Sequence, residues 1–373
     1  MIETGIPTSN DLRVAVLQNH VPHYRIAFFD SIAATPGIDL NVHAAHVTPR
    51  ADGSDPDWFR RLGETRSVAK GIDWQEGATA LDLSGIDVLV LSATIRTASN
   101  LVLARRARKR GIPVIWWGHY HSAGSRGLAK GLRRIMYRLG AAVLFYTDDE
   151  AGQYGADGGT LPASALNNGI DTREIVALRA PYDAATRPRR AMFIGRLTEK
   201  SRFDLLLQAL ARPEAASVEL SVIGDAPDAI RARAETLGCA DRVLWHGPRF
   251  TEAEIAPIAN DARVFVYPGA VGLSLVHAMA YGLPVMVHDS RADHMPEIAA
   301  FAAGTTGVTF AREDVADLAR QLAALTDDPE RLNAYSRAAL DTVATRFNTQ
   351  AMAARFCDWV RATAGAQQTG GPA

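Results

Sequence analysis

The sequence lacks several features that would place it in a familiar class of protein. Only two cysteines, Cys239 and Cys357, occur among its 373 residues, and they are too far apart to form a CxxC pair. This argues against a disulfide scaffold or a zinc cage. No run approaches the roughly 20 apolar residues of a membrane span, and the first residues lack the basic and apolar parts of a signal peptide. We therefore expect a protein of the reducing cytoplasm.

Strong net charge and metal-ligand motifs are also missing. The formal net charge is −1, whereas a dedicated nucleic-acid binder is usually basic, so we expect no nucleic-acid partner. Neither an HExxH motif nor a DxD pair for a divalent ion occurs. We therefore expect no metal site and no bound cofactor.

Acidic residues are absent between Asp87 and Asp148, which leaves residues 105–138 strongly basic. Two interpretations of this basic segment stay open. One is a solvated helix that packs on its own domain. The other is an amphipathic surface that contacts anionic lipid at the inner face of the membrane or receives an anionic acceptor.

Apolar, strand-like runs alternate with helical patterns, and the series restarts after the Pro- and Arg-rich stretch at 179–191. Such strands indicate parallel sheets covered on both faces. We expect an α/β protein of two Rossmann-like, doubly wound domains that face a cleft. The expected parts are a first domain at residues 1–184, a second at 185–350, a helix at 351–365 and a disordered tail at 366–373.

Glycines, cations and a helix start follow the strands of the second half. Gly195, Gly224 and Gly247 each end a strand, where a glycine lets a ligand approach the backbone. Arg196 and Lys200 then suit a diphosphate, unless they are ordinary surface cations of a loop. In "YPGAVGLSLVHAMAYGLPV" two glycines precede a helix whose first amides can bind phosphate. The residues concerned are Gly269, Gly272, Leu273 and Ser274.

These motifs, in the order "NNGID", "GRLTEK", "VIGDAP", "LWHG", "YPGAVGLSLVHAMAYGLPV" and "MPEI", resemble the nucleotide-binding half of GT-B retaining glycosyltransferases of family 4 (glycosyl transferases group 1). The resemblance implies that Arg196 and Lys200 hold the donor diphosphate together with the amides of residues 272–274. Glu297 matches a family glutamate. Gly269 and His277 occupy the two positions of the family's Glu-x7-Glu pattern.

The loss of both glutamates is the main departure from the family. A histidine can hydrogen-bond a ribose hydroxyl, so His277 can replace the second glutamate, unless it is a helix histidine bonded to a backbone carbonyl. Gly269 has no side chain to replace the first. The front-face mechanism implied by the family needs no protein nucleophile, because the leaving phosphate oxygen takes the acceptor's proton. Positioning and charge stabilisation by Arg196 and Lys200 then carry the catalysis.

The resemblance implies that residues 1–184 bind the acceptor, that 185–350 bind the nucleotide sugar, and that the helix at 351–365 packs back on the first domain. The first half offers candidates for the acceptor side. His119 and His121 end the strand "VIWWG", and His20 and Arg25 follow the first strand. We rank His119 first as a catalytic group near the donor sugar or acceptor hydroxyl. Each lone histidine can equally be a hydrogen-bonded loop or core residue.

The expected function is that of a retaining, metal-independent glycosyltransferase. It would move a sugar from a nucleoside diphosphate sugar to the hydroxyl of a glycan or lipid-linked acceptor, as in polysaccharide assembly. Two alternatives stay open. One is a sugar-nucleotide epimerase of the same fold. The other is a non-catalytic sugar-nucleotide-binding protein or partner subunit.

Overall fold

The computed structural model describes residues 11–50, 53–120, 133 and 135–369. They form two compact units. The described residues up to Asn167 and those from Thr349 onward make up unit 1, and Asn168–Asn348 make up unit 2.

Unit 1 is built on a seven-stranded sheet in the order β3-β2-β1-β6-β7-β8-β9, in which every neighbouring pair is parallel. Its central strands are buried and apolar along their length because the chain covers both faces of the sheet. A separate antiparallel hairpin is formed by β4 and β5. The strands are β1 (Leu12–Leu17), β2 (Ile38–Ala44), β3 (Phe59–Arg61), β4 (Thr65–Ala69), β5 (Ile72–Gln75), β6 (Val88–Ser92), β7 (Val114–Trp117), β8 (Ala142–Phe145) and β9 (Ala163–Ala165). The helices among them are α1 (Ile26–Ala33), α2 (Ala98–Lys109) and α3 (Asp148–Ala156).

Unit 2 contains a six-stranded parallel sheet in the order β12-β11-β10-β13-β14-β15. Its strands are β10 (Arg190–Ile194), β11 (Glu219–Ile223), β12 (Val243–Gly247), β13 (Val264–Tyr267), β14 (Val285–His288) and β15 (Gly307–Phe310). Its α-helices are α4 (Arg173–Leu178), α5 (Phe203–Leu210), α6 (Asp228–Thr236), α7 (Glu252–Asn260), α8 (Leu273–Ala280), α9 (Val315–Thr326) and α10 (Pro329–Thr345). Two parallel α/β sheets confirm the expected pair of Rossmann-like domains.

The strand order reverses once in each sheet. In unit 1 the chain continues from β1 to one side and later returns to the other side at β6, and in unit 2 the same happens at β10 and β13. Ligands of open α/β sheets bind beyond the carboxyl ends of the strands at such a reversal. The topology therefore favours ligand sites in the segments after β1, β10 and β13.

The division between the units lies nearer the N-terminus than the expected boundary at 184/185. Residues after Asn168 pack into unit 2, where Ile175 and Ala184 are fully buried in its hydrophobic clusters. Arg187 is also buried and donates to the carbonyls of Ala259 and Ala262. The Pro- and Arg-rich stretch is thus part of unit 2 rather than a linker.

The last described helix, α11 (Thr349–Thr369), packs against α1 in unit 1. Met352, Phe356 and Val360 share a buried cluster with Phe28. The helix is longer than the expected 351–365 and includes residues 366–369 of the expected disordered tail, since Ala and Gln favour helix. The rest of that tail, 370–373, lies outside the described residues.

The basic segment at 105–138 falls partly outside the described residues, because 121–132 and 134 are not among them. Within the described part, Arg106 donates to the carbonyls of Thr79 and Leu81, and Arg108 donates to that of Arg138 at 2.8 Å. These arginines therefore stabilise neighbouring loops of unit 1 by hydrogen bonds to their backbone carbonyls. None of the helices that the structure describes is long and apolar enough to cross a bilayer.

Candidate functional site

Three glycines form a continuous edge at the carboxyl ends of β10, β11 and β12. The amide of Gly195 donates to the carbonyl of Ile223, and that of Gly224 donates to Gly247, both at 3.0 Å. A Cβ atom on Gly224 would overlap the carbonyl oxygen of Gly195, and Gly224 has a φ of 157° that L residues rarely adopt. The strand ends are therefore bare backbone, as expected for a surface that a ligand approaches closely.

Arg196 and Lys200 follow this edge as exposed cations. Among the described residues, neither side chain forms an ion pair or a hydrogen bond. Arg202, two residues further on, is instead paired with Glu313. Arg196 lies close enough to Tyr267 that its charge opposes the rise in the Tyr267 pKa caused by burial. The loop after β10 thus presents two positive charges without carboxylate partners next to the end of β13.

The loop after β13 is fastened to the loop that carries Lys200. The amide of Ala270 donates to the carbonyl oxygen of Lys200 at 3.1 Å. A Cβ atom on Gly269 would overlap that same oxygen, and it would lie 2.6 Å from the carbonyl carbon of Ser201. No side chain fits at position 269, which gives a physical reason why the first family glutamate is missing here.

Helix α8 begins at Leu273 without a side-chain cap on its N-cap residue, Gly272. Within the described part of the chain, the amides of Leu273 and Ser274 have no hydrogen-bond acceptor. Unsatisfied amides at a helix start favour an anion, through both the N–H groups and the helix dipole. The contact between Ala270 and Lys200 brings the backbone of the loop that carries both cations next to the loop that leads into this helix.

His277, one turn into α8, is bound within the protein. Its Nε2 lies 2.9 Å from Oε1 of Glu252, and the hydroxyl of Tyr281 donates to Oε2 of the same carboxylate at 2.8 Å. Burial opposes charge on Glu252, but the hydrogen bonds from His277 and Tyr281 together hold its pKa below the usual value. Nε2 of His277 is thus occupied by Glu252, and only Nδ1, buried and without a partner among the described residues, is left.

Glu297 lies beneath the start of α8. The carboxylate is buried, with 7% exposure, and accepts a hydrogen bond from the amide of Asn168. A Cβ atom on Gly272 would lie 3.6 Å from Oε2 of Glu297. Asn168, the second asparagine of the "NNGID" motif, therefore positions the carboxylate of Glu297 next to the start of α8.

Two stacked histidines fix the position of the loop before α8. The amide of Val271 donates to Nδ1 of His294 at 3.3 Å, and Nε2 of His294 donates to the carbonyl of His288 at 3.0 Å. Their rings are 3.8 Å apart. Burial lowers the pKa of both, that of His288 to about 4, so both are neutral near pH 7. Only neutral His294 can accept from Val271 while donating to His288.

In unit 1, His20, Arg25 and His119 lie at the carboxyl ends of β1 and β7. Nδ1 of His119 is 3.2 Å from Oε1 of Glu150, and its ring packs on Tyr146 at 4.1 Å between centroids. His20 stacks on His46 at 5.6 Å. Arg25 is buried among aromatic rings and lines a small cavity. His121 lies outside the described residues.

Several groups at these sites escaped the sequence analysis. Asn168 belongs to a motif that was recognised without assigning a role to its side chain. Glu252, Tyr281 and His294 gave no local signal, because each acts through a partner in another segment. Among the described residues, no three His, Cys, Asp or Glu side chains come together as metal ligands.

Known proteins resemble this chain in fold and, over most of unit 2, in sequence. Residues 188–328, most of unit 2, match the family model of glycosyl transferases group 1. No curated protein sequence matches the chain. Among solved structures, the chain resembles the lipopolysaccharide outer core galactosyltransferase WaaB, with 16% identity, a TM-score of 0.68, and coverage of 94% of this chain and 99% of that one.

Two further structures have the same fold over nearly their whole length. Sucrose-phosphate synthase from Thermosynechococcus elongatus has 16% identity and a TM-score of 0.65, covering 95% of this chain and 100% of that one. HepE of Anabaena, in complex with UDP and glucose, has 14% identity and a TM-score of 0.62, covering 94% of this chain and 100% of that one. The fold is therefore that of GT-B glycosyltransferases, and unit 2 carries the match to glycosyl transferases group 1.

Proposed function

We propose that this protein is a retaining, metal-independent glycosyltransferase that moves a sugar from a nucleoside diphosphate sugar to an acceptor hydroxyl. The observation that carries the proposal is a pair of exposed cations, unpaired among the described residues, whose loop is hydrogen-bonded to the loop before the uncapped start of α8. All of these lie at the strand-order reversal of unit 2. The family match over residues 188–328 and the UDP bound by the structurally similar HepE support the choice of a nucleotide sugar.

The charges of unit 2 suit a departing diphosphate. Arg196 and Lys200 compensate the negative charge that grows on the leaving oxygen, and the amides of Leu273 and Ser274 add hydrogen bonds. In the proposed reaction the acceptor oxygen bonds to the anomeric carbon as the bond from that carbon to the diphosphate oxygen breaks. The acceptor's proton passes to the leaving oxygen, so no protein base and no metal ion is required.

The donor ribose must be held differently from the two-glutamate pattern. Nε2 of His277 is held by Glu252 and Nδ1 is buried, so the more exposed member of the pair is the Glu252 carboxylate, at 21%. We propose that this carboxylate, held by His277, accepts a hydrogen bond from a sugar hydroxyl, so that the Glu252–His277 pair acts in place of the second glutamate. Glu297 is then the carboxylate nearest the phosphate-binding helix start.

Unit 1 is proposed to bind the acceptor, with His119 as the group nearest the reacting hydroxyl. A glycan or lipid-linked acceptor, as in polysaccharide assembly, follows from the same resemblance. The protein would then work in the cytoplasm or at the inner face of the membrane. The structurally similar TarM in complex with UDP and alpha-GlcNAc-glycerol supports an acceptor of the glycan class.

The decisive experiment has two arms on the purified full chain. The first measures the shift in melting temperature with UDP, GDP, ADP and their glucose and mannose derivatives, since a ligand bound only by the folded state raises it. The second follows transfer from the stabilising donor by NMR, with and without EDTA, and reads the anomeric configuration of the product. Retention of configuration in EDTA supports the proposal. Stabilisation without transfer or hydrolysis would identify a sensor, and an isomerised donor would identify an epimerase.

A further inference from the structure

A buried arginine in unit 1 has no anionic partner among the residues that the structure describes. Arg25 is only 7% exposed, yet no carboxylate among the described residues pairs with it. Its one hydrogen bond goes to the thioether of Met352 at 3.3 Å, and a thioether is a weak acceptor. A buried cation without an anion is unfavourable, so something outside the described contacts should complete it.

The groups packed around the guanidinium of Arg25 are mostly aromatic. Aromatic rings lie around it, with Tyr24 and Trp117 at 5.4 Å, Tyr146 at 5.6 Å and Phe28 at 5.8 Å between the guanidinium carbon and each ring centroid. Rings can stabilise the faces of the cation, but they accept none of its in-plane N–H groups. Among the described contacts, the N–H groups other than the one bonded to Met352 remain available for an oxyanion.

Arg25 lines a cavity in unit 1 beyond the carboxyl ends of β1, β7 and β8. The cavity has a volume of about 170 Å³ and is also lined by His20, Trp117 and Tyr146. This is several times the ~30 Å³ occupied by a water molecule. Trp117, whose indole N–H is buried and has no partner in the described structure, contributes to the wall.

We propose that this cavity binds an oxyanion carried by the acceptor, a phosphate or a sugar carboxylate, with Arg25 as the residue that recognises it. Guanidinium groups bind both oxyanions through two parallel hydrogen bonds. The cavity follows β1, at the strand-order reversal of unit 1, where ligands of such sheets bind. The inference rests on the proposed function only in naming the anion as part of the acceptor.

The test uses the full chain with saturating UDP, so that a phosphate cannot bind at the donor site. Isothermal titration compares glycerol 3-phosphate with glycerol, and glucuronate with glucose. We expect a charged member to bind at least tenfold more tightly than its neutral counterpart, and which pair shows this identifies the anion. No preference for either charged member would overturn the inference.

Variants of Arg25 test whether the charged probe binds in this cavity. Arg25→Gln should lower the affinity for the charged probe at least tenfold, and Arg25→Lys should retain part of that affinity. Arg13→Gln is the matched control, because it removes the same charge from an exposed pair with Asp87 at the opposite end of β1. Equal weakening in both variants would indicate a general charge effect and overturn the site.

A measurement on the wild type covers the case in which Arg25 variants do not fold. The indole N–H resonance of Trp117, assigned with Trp117→Phe, should shift on titration with the charged probe and not with the neutral one. An unmoved resonance would overturn the inference. UDP binding is read separately in the same samples, so loss of the donor site and loss of the anion site are distinguishable.

Discussion

Nε2 of His277 lies 2.9 Å from a carboxylate oxygen of Glu252, at a position where the resembled family has a glutamate. Both side chains are largely buried, with exposures of 14% and 21%. If a glutamate stood at position 277, as in the resembled family, its carboxylate would therefore lie against that of Glu252. The geometry therefore disfavours His277→Glu.

We expect His277→Glu to lower the free energy of unfolding by about 2 kcal/mol, because it places like charges together in a partly buried site. His277→Gln, which can still donate to Glu252, should cost less. Urea denaturation near pH 7 measures both. Adding Glu252→Gln to His277→Glu should recover most of the loss, and an absence of recovery would contradict the pairing.

Gly269→Ala should destabilise unit 2 by about 1–3 kcal/mol, because the new methyl group overlaps the backbone of Lys200 and Ser201. The shifted loop should also weaken UDP binding. Melting temperature and calorimetric titration with UDP are the measurements. Gly152→Ala in α3 is the control, since nothing lies within 4 Å of the added atom there. Equal stability of the two variants would rule out the close contact.

Arg196→Gln and Lys200→Gln should each lower kcat on the order of a hundredfold, since each removes a charge that stabilises the departing diphosphate. The matched control is Arg202→Gln in the same loop, whose cation is already paired with Glu313, and which should change kcat little. Initial rates with the donor identified by thermal shift provide the comparison. Unchanged turnover in both Arg196 and Lys200 variants would remove them from the mechanism.

Stability should fall as the pH is lowered from about 6.5 to about 4. The pKa of His288 in the folded protein is about 4, below its ordinary value of 6.5, so the unfolded chain binds more protons in this range. Urea midpoints measured at several pH values should be less pH-dependent in His288→Gln. His43 of unit 1, whose pKa burial also lowers to about 4, contributes equally in both proteins. A slope identical in wild type and variant would contradict the assignment.

The fold was predictable where strands are long and apolar, because buried parallel strands carry a continuous signal. The short strands β3 and β9 and the polar hairpin of β4 and β5 carry too little of that signal. In the site, Arg196 and Lys200 could be found because they directly follow a strand. The contact between Glu252 in α7 and His277 in α8 could not, because the sequence does not say which helices of different βα units become neighbours.

The chain passes out of unit 1 after Asn167 and re-enters it at Thr349. During translation, the whole of unit 2 therefore leaves the ribosome before α11 can supply Met352, Phe356 and Val360 to the cluster around Phe28. Unit 1, whose synthesis begins first, is therefore completed last. A nascent chain arrested before α11 should thus expose apolar surface on α1 and depend on chaperones, while its second half is already able to fold.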